Sequence, residues 1–149
     1  MIDGVVIKPL KVFKDERGQL MHMMRSDDPL FKGFGEIYFS VVKAGVVKGW
    51  KRHQRMVQSF AVPQGMLKLV IYDDRAGSSS KGKVQEIVFG DKQYQLVQVP
   101  PLVWYSFTAA EGDFAMIANC ASIPHDPQET EQKDLNDPAI PYHWEKDQA

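Results

Sequence analysis

Hydrophobic and polar residues alternate along most of the chain in short runs, and no apolar repeat of helical period extends beyond a few residues. In residues 66–72, for example, Leu67, Leu69 and Ile71 share one face of an extended chain, whereas Lys68 points to the other face. One face of this predicted strand would line a core. The other face is mixed, as in a barrel wall or a subunit contact.

Similar runs recur between residues 4 and 122 and predict β-strands, because each is rich in β-branched and aromatic residues and bounded by turn residues. The predicted strands are residues 5–12, 19–25, 35–42, 47–50, 57–63, 66–73, 84–89, 93–99, 103–109 and 114–121. The breaks include residues 15–18 and 63–65, and the Gly- and Ser-rich segment 75–83 is predicted to be a mobile hairpin connection. Many short, evenly spaced strands are typical of an antiparallel sandwich or closed barrel.

The last part of the chain differs in composition and is rich in Pro, Asp, Glu, Gln and His. Residues 123–149 are therefore predicted to form a short, mostly irregular tail, with a helical turn around residues 129–135. Its Tyr and Trp residues would pack it back on the β-strands. The chain is thus expected to form one domain, residues 1–149, with a barrel core of about residues 4–122.

Charge and cysteine usage limit the classes of partner. The chain has 18 Lys and Arg against 19 Asp and Glu, so no basic surface that would attract nucleic acid is expected. The longest apolar runs are far shorter than the roughly 20 residues that span a bilayer. The single Cys120 excludes an intramolecular disulfide. Together with the absence of a leader-like start, it predicts a cytoplasmic protein with no nucleic-acid or membrane partner.

The segment Gly-Trp-Lys-Arg-His-Gln-Arg-Met-Val-Gln-Ser-Phe, residues 49–60, concentrates charge between apolar neighbours. It could be a solvated loop, a metal site without its ligands, or the polar floor of an active-site cavity. An open catalytic metal site needs three or four converging N or O ligands. Among the polar candidates Lys51, His53, Gln58 and Tyr105 only His53 is a conventional ligand, and the other His residues are scattered along the chain, so no metal site is predicted.

Four segments, in order along the chain, resemble a known family. Residues 13–18, Phe-Lys-Asp-Glu-Arg-Gly, are similar to the Phe-x-Asp-x-Arg-Gly opening of the dTDP-4-dehydrorhamnose 3,5-epimerases. The other segments are residues 45–49 (Gly-Val-Val-Lys-Gly), 73–78 (Asp-Asp-Arg-Ala-Gly-Ser) and 99–107 (Val-Pro through Phe). Residues 48–58 also resemble a segment of the sugar 3,4-ketoisomerases. The resemblance covers about residues 7–144 and implies an all-β cupin jelly roll, an antiparallel β-sandwich.

The resemblance also implies a reaction. The expected activity is that of an epimerase or keto-isomerase on a dTDP-linked 4-keto-6-deoxy sugar, without a metal or other cofactor. Such a reaction needs a base for a carbon-bound proton, a group that stabilises the enolate and an acid that returns a proton. The alternative is a non-catalytic cupin that binds a nucleotide sugar. It is favoured by the replacement of family His residues by Lys51 and Tyr105, and by the lack of a family Tyr near residues 118–120.

Three residues are the catalytic candidates. His53 is the candidate base, because an imidazole titrates near neutral pH, although it could instead only form a hydrogen bond with a neighbouring strand. Lys51 could be a substituted base, a clamp for an oxyanion or phosphate, or an exposed lysine at a strand edge. Tyr105 could act as acid or donor through its phenol, or simply pack beside Trp104.

Five residues are the substrate-binding candidates, and a dimer is expected. Arg17 matches a family phosphate contact, often made across a dimer interface, although it could instead pair with Asp15 or Glu16. Lys48 replaces a family Arg and keeps its charge. The remaining candidates for the cavity wall are Gln58, Asn119 and His125. The resemblance implies a homodimer, and the apolar run Val5-Val6-Ile7 is a candidate for the pairing.

Overall fold

The structure, a computed structural model, describes residues 1–144. These residues form ten β-strands and one 3₁₀ turn. The elements are β1 (Val6–Pro9), β2 (Val12–Asp15), β3 (Gly18–Met21), β4 (Glu36–Lys43), β5 (Val47–His53), β6 (Gln58–Tyr72), β7 (Val84–Gly90), β8 (Gln95–Val99), β9 (Trp104–Ala121), the 3₁₀ turn (Pro127–Glu129) and β10 (Thr130–Gln132). Within this part of the chain no helix has the length and hydrophobicity needed to cross a membrane.

Eight strands form one antiparallel sheet, and the other two form a hairpin. The main path runs β1-β8-β6-β9-β5-β10, while β4 pairs with β9 and β7 pairs with β6. Strands β2 and β3 pair with each other, and the predicted turn between Asp15 and Gly18 is confirmed. The all-β, antiparallel prediction is therefore confirmed.

Two of the strands, β6 and β9, are much longer than predicted, because each joins two predicted strands. The Pro63–Gly65 segment is not a turn but an irregular stretch of β6, where the register to β9 shifts between Ala61 and Leu67. Gly65 makes this possible: its φ is 84°, and a Cβ there would lie 2.3 Å from the carbonyl oxygen of Phe114. Bulges of this kind bend a strand without ending it. As a result, β6 pairs with β8 near its start and with β7 near its end.

The N-terminal strand is shorter than predicted. Pairing stops at Pro9, and the chain continues after Lys11 as β2 of the hairpin, so residues 5–12 are not one strand. The second predicted strand, 19–25, is also shorter and ends at Met21. The run Val5-Val6-Ile7 packs and pairs within its own chain, because Val5 is buried and β1 pairs with β8.

Both faces of β6 are covered. Leu67, Leu69 and Ile71 are fully buried inside the barrel, which confirms the predicted alternation. The opposite face contributes Val70 to a second apolar cluster that contains Trp144 of the C-terminal tail. The mixed face predicted from the sequence is therefore covered by the tail of the same chain.

The tail is more regular than predicted. Residues 130–132 form β10, which pairs with β5 and places Thr130 opposite His53. The predicted helical turn around residues 129–135 is therefore wrong. The polar Thr-Glu-Gln sequence has no strand pattern of its own, but the open edge of β5 offers backbone groups that need partners.

The loop between β6 and β7, predicted to be mobile, is held by the buried carboxylate of Asp73. Arg75 Nε donates to Asp73 over 2.9 Å, and the hydroxyls of Ser78 and Ser80 each donate over 2.6 Å. Burial alone would raise the pKa of Asp73, but these hydrogen bonds outweigh it and hold the pKa well below its usual range. The loop is thus ordered around an ionised side chain.

Candidate active site

A bulge in β5 brings two lysines to the same side of the strand. Lys48 is paired with Phe107 of β9 and Lys51 with Tyr105, so three steps along β5 match two steps along β9. In a regular strand, residues three apart point to opposite faces. Here Lys48 and Lys51 both line the barrel cavity, whereas Trp50 between them packs in the outer cluster.

The cavity lies inside the barrel and has a volume of about 120 Å³. It is lined by residues of β4, β5, β6 and β9: Tyr38, Ser40, Lys48, Gly49, Lys51, Gln58, Phe60, Tyr105, Phe107, Ile117 and Asn119. Five of the eight predicted site residues are in this set. The mixture of an aromatic and aliphatic wall with a few polar groups is typical of a small-molecule site.

His53 lies behind Tyr105 and is not itself among the residues that line the cavity. Its side chain is buried, and its Nε2 is 3.2 Å from the hydroxyl of Tyr105. The Tyr105 hydroxyl is also 3.1 Å from Gln58 Oε1. Its single hydrogen can therefore point to His53 when the imidazole is neutral, and to Gln58 once His53 has gained a proton. Burial raises the pKa of Tyr105, so the phenol stays protonated near neutral pH.

Glu129 contacts the ring nitrogen of His53 that faces away from Tyr105. It was not predicted from the sequence. Its Oε1 accepts a hydrogen bond from His53 Nδ1, and its Oε2 accepts from the backbone N–H groups of Arg55 (3.0 Å) and Met56 (3.2 Å). Burial alone would raise the pKa of Glu129, but the bonds from Arg55 and His53 outweigh it and keep the pKa below its usual value. The ionised carboxylate fixes the hydrogen of His53 on Nδ1, and this leaves Nε2 for Tyr105.

A row of amide groups continues from Tyr105 along the cavity wall. Gln58 Oε1 accepts from Tyr105 and from Asn119 Nδ2, the latter over 3.3 Å. Asn119 Nδ2 also donates to the hydroxyl of Tyr38 over 2.9 Å. Tyr38 is a second residue that was not found from the sequence. Its alternation with Ser40 and Val42 along β4 could have indicated an inward-facing side chain.

Arg17 and His125 are placed away from the cavity. Arg17 lies at the exposed tip of the β2–β3 hairpin, where its Nη2 is 2.6 Å from Asp15 Oδ2, and it lines a shallow groove on the hairpin. His125 is exposed and is not among the residues that line the cavity. Among residues 1–144, no three His, Cys, Asp or Glu side chains are grouped as metal ligands would be. That the site works without a metal remains a prediction.

Comparisons with known proteins agree with this architecture. All of residues 1–149 match the family model described as dTDP-4-dehydrorhamnose 3,5-epimerase. Agl13 of Haloferax volcanii, a probable low-salt glycan biosynthesis epimerase, is 30% identical over 143 residues, which cover 95% of this chain and 88% of that protein. SpsL of Bacillus subtilis, a spore coat polysaccharide biosynthesis protein, is 27% identical over 146 residues, 97% of each chain.

Solved structures give the same result. A dTDP sugar isomerase from Desulfovibrio desulfuricans G20 superposes with a TM-score of 0.94 at 41% identity, over 97% of this chain and 92% of that chain. ChmJ, a 3'-monoepimerase from Streptomyces bikiniensis solved with dTDP-quinovose, shares the fold with a TM-score of 0.84 at 16% identity, over 95% and 75% of the two chains. The predicted cupin jelly roll is thereby confirmed. The chain belongs to the dTDP-4-dehydrorhamnose 3,5-epimerase family.

Proposed function

We propose that this protein is an epimerase or keto-isomerase that removes a proton next to the carbonyl of a dTDP-linked 4-keto-6-deoxy sugar, without a metal. The observation that carries the proposal is the hydrogen-bonded series Glu129, His53 and Tyr105. It ends at the wall of a cavity that also presents Lys48 and Lys51. A proton acceptor and two ammonium groups around one small cavity are what the formation of an enolate requires.

Proton removal uses the Tyr105–His53 pair. As the carbon-bound proton moves to the oxygen of Tyr105, the hydroxyl proton of Tyr105 moves to His53 Nε2. The electron pair of the broken C–H bond forms the enolate double bond, and the negative charge moves to the former carbonyl oxygen. The carboxylate of Glu129 then faces an imidazolium, which it stabilises by opposite charge.

The two lysines stabilise the enolate oxygen. Lys51 lies directly across from Tyr105 in the β5–β9 pairing, so its ammonium group lies on the same wall as the proton acceptor. Lys48 Nζ donates to Ser40 Oγ over 2.8 Å, which directs it along that wall. A positive charge held at the site where negative charge develops lowers the barrier to proton removal.

The size of the cavity indicates which part of the substrate lies inside it. At about 120 Å³ it is smaller than the roughly 300–1,000 Å³ of a site that encloses a whole drug-sized ligand. We therefore place the keto sugar inside, where Gln58 and Asn119 meet its hydroxyls, and the nucleotide at the mouth. The proposed role of Arg17 is to bind the phosphates across a dimer interface, because in its own chain it lies outside the cavity.

An exposed apolar stripe supports a homodimer. Ile37, Phe39 and Val41 are 55%, 66% and 44% exposed on the outer face of β4, and Phe13 and Leu20 of the hairpin are both 59% exposed. Large apolar side chains in such a row mark interaction surfaces more often than free surfaces. A cytoplasmic location is also part of the proposal, supported by a single cysteine that is buried and free.

The test is to incubate the purified protein with dTDP-4-keto-6-deoxyglucose in deuterated water and to follow the sugar by NMR. We expect deuterium at C3 or C5, or a new keto sugar, and we expect Tyr105→Phe to abolish both. Saturable binding of the sugar nucleotide without exchange or turnover, unaffected by His53→Ala, would contradict the proposal. That outcome would support the non-catalytic alternative.

A further inference from the structure

We propose that the C-terminal tail positions Lys51 in the cavity, and that Trp50 is the residue through which the tail acts. The inference rests on the proposed function for its catalytic consequence, but the position of the side chain can be measured without turnover. Neighbouring residues of an extended strand point to opposite faces. While Trp50 is held on the outside of the barrel, Lys51 must therefore point inside.

The indole of Trp50 is buried under the tail. It is 1% exposed and packs in the outer cluster with Ile140 and Trp144. Its ring also meets that of Tyr142 edge to face, with the ring centroids 6.3 Å apart. All three of these partners belong to the tail. Among residues 1–144, no group accepts a hydrogen bond from Trp50 Nε1, so apolar packing holds this side chain.

The backbone around Trp50 is also held by the tail. Strand β10 pairs Gln132 with Lys51, and the N–H of the next residue, Lys133, donates to the carbonyl of Trp50 over 3.0 Å. On its other edge, Lys51 is paired with Tyr105. An extra residue inserted at this point would break pairing on both edges of β5, which keeps the bulge on the N-terminal side of Lys51.

Both residues inside the bulge face the tail. A Cβ at Gly49 would lie 4.0 Å from Leu135 Cδ1, which is ordinary van der Waals contact, and Trp50 packs on the same side. The tail therefore covers the bulged segment itself. The lysines at the two ends of this segment are left on the cavity side.

A competing register shows what the tail prevents. If the bulge lay beyond Lys51, the strand would be regular from Lys48 onward, and Tyr105 would pair with Trp50 instead of Lys51. Lys51 would then leave the cavity, and the indole would point into a space of about 120 Å³. The buried contacts of the indole disfavour this register, because burial of a large aromatic side chain is strongly stabilising.

The experiment compares Trp50→Ala with Trp50→Phe. The phenyl ring keeps apolar packing under the tail, whereas alanine gives the tail no side chain to hold. We expect interstrand NOEs between Lys51 and Tyr105 in the wild type and in Trp50→Phe. In Trp50→Ala, these NOEs should weaken while NOEs between residue 50 and Tyr105 appear. Thermal melting establishes that each variant is folded.

The kinetic measurement is the rate of deuterium exchange into dTDP-4-keto-6-deoxyglucose. If Trp50 acts through Lys51, Trp50→Ala should lower this rate about as much as Lys51→Met, by about 10²–10³-fold. Adding Lys51→Met to Trp50→Ala should then cost no more than about a further twofold. In the Trp50→Phe background, Lys51→Met should keep its full effect. Lys48→Met should lower the rate in both backgrounds, since Lys48 stays in the cavity.

Lys133→Pro is the second variant and decides the matter if Trp50→Ala does not fold. It removes the N–H that binds the Trp50 carbonyl, whereas Lys133→Ala keeps it, so only the proline variant should show NOEs of both registers. The proposal is overturned if the Lys51–Tyr105 NOEs are unchanged in a folded Trp50→Ala or, in its place, Lys133→Pro. It is also overturned if Lys51→Met keeps its full effect in Trp50→Ala. If the wild type shows no exchange, the proposed function fails, and the NOEs alone decide what positions Lys51.

Discussion

His53 and Glu129 form a buried hydrogen bond across 76 positions of sequence, from the ring Nδ1 to the carboxylate. The contact depends on β10, which pairs with β5 and sets Thr130 opposite His53. The backbone N–H of Gln54 also donates to the carbonyl of Glu129 over 2.8 Å. The C-terminal tail is therefore a component of the proposed active site.

Replacing Glu129 by Gln should impair proton removal. The amide can donate to Nδ1, which favours the imidazole tautomer with its hydrogen on Nε2, where Tyr105 needs an acceptor. By analogy with a carboxylate that orients a catalytic histidine, we expect kcat to fall by about 10²–10⁴-fold. The measurement is the initial rate of deuterium exchange into the keto sugar.

A matched control for Glu129→Gln is Glu131→Gln, two residues further along the chain on β10. Glu131 contacts Arg52 and Gln54 and lies outside the cavity, so its replacement should leave kcat within a few-fold of the wild-type value. Equal kcat values for Glu129→Gln and wild type would show that the carboxylate does not orient the imidazole.

Lys51→Met should lower the exchange rate through loss of enolate stabilisation. A single preorganised group of this kind contributes about 10²–10³-fold to kcat, and Lys51→Arg should restore part of the rate because the charge is retained. Steady-state kinetics separate the two possible roles of the residue. A higher KM with an unchanged kcat would instead make Lys51 a residue that binds only the ground state.

Asp73→Asn should destabilise the fold, since it leaves Arg75 without its charged partner. We expect a loss of about 3 kcal/mol in the free energy of unfolding at pH 7, measured by urea titration. The low pKa of Asp73 in the folded state means that this contribution is present above the ordinary carboxyl pKa of about 3.9 and is lost as pH falls below it. The difference between variant and wild type should therefore shrink at pH 3.

Asp27→Asn is the control for this measurement. Asp27 pairs with Arg25 on the surface, where both side chains are mostly exposed, so its replacement should hardly change the urea midpoint. A loss of stability for Asp73→Asn that stays the same at pH 3 would contradict the assignment of the effect to the charge.

Trp144→Phe should loosen the tail. Its Nε1 donates to the buried Ser106 Oγ over 2.7 Å, and removing the donor leaves that hydroxyl unpaired, at a cost of about 1–3 kcal/mol. In the double variant with Ser106→Ala, part of this loss should be recovered. If the two single effects simply add, the indole and the hydroxyl are not coupled.

Phe39→Asp should dissociate the proposed dimer, because it puts a charge in the middle of the apolar stripe. We expect light scattering at micromolar concentration to give the mass of a monomer for this variant and of a dimer for the wild type. Val88→Asp changes a comparably exposed apolar residue on β7 (46% exposed) and should remain dimeric. A monomeric wild type would rule out the proposed interface.

The sequence predicts the strands whose residues alternate strictly, and it fails where tertiary contacts decide. Leu67, Leu69 and Ile71 are recognisable as a core face because these alternate positions of the strand are all apolar. Pro63 and Gly65 are the usual residues of a turn, yet in the barrel Gly65 permits a bulge against β9 and the strand continues. No local pattern distinguishes these two outcomes.

The same limit applies to the site. His53 and Tyr105 were found because their positions match those of functional residues in a family with known chemistry, although Tyr105 stands where that family has a His. Glu129 was not, since a glutamate in a Pro- and Glu-rich tail looks like a solvated charge until the tail pairs with β5. Its role depends on a long-range contact that composition cannot indicate.

The bulge between Lys48 and Lys51 fixes how many positive charges face the cavity. Deleting Gly49 or Trp50 would remove the bulge, but the two lysines would then be two apart in a regular strand and would still share one face. A bulge shifted beyond either lysine would instead leave them three apart in a regular strand, on opposite faces, and would remove one positive charge from the cavity while conserving every charged residue. Across relatives, the position of the bulge is therefore as informative about substrate charge as a substitution.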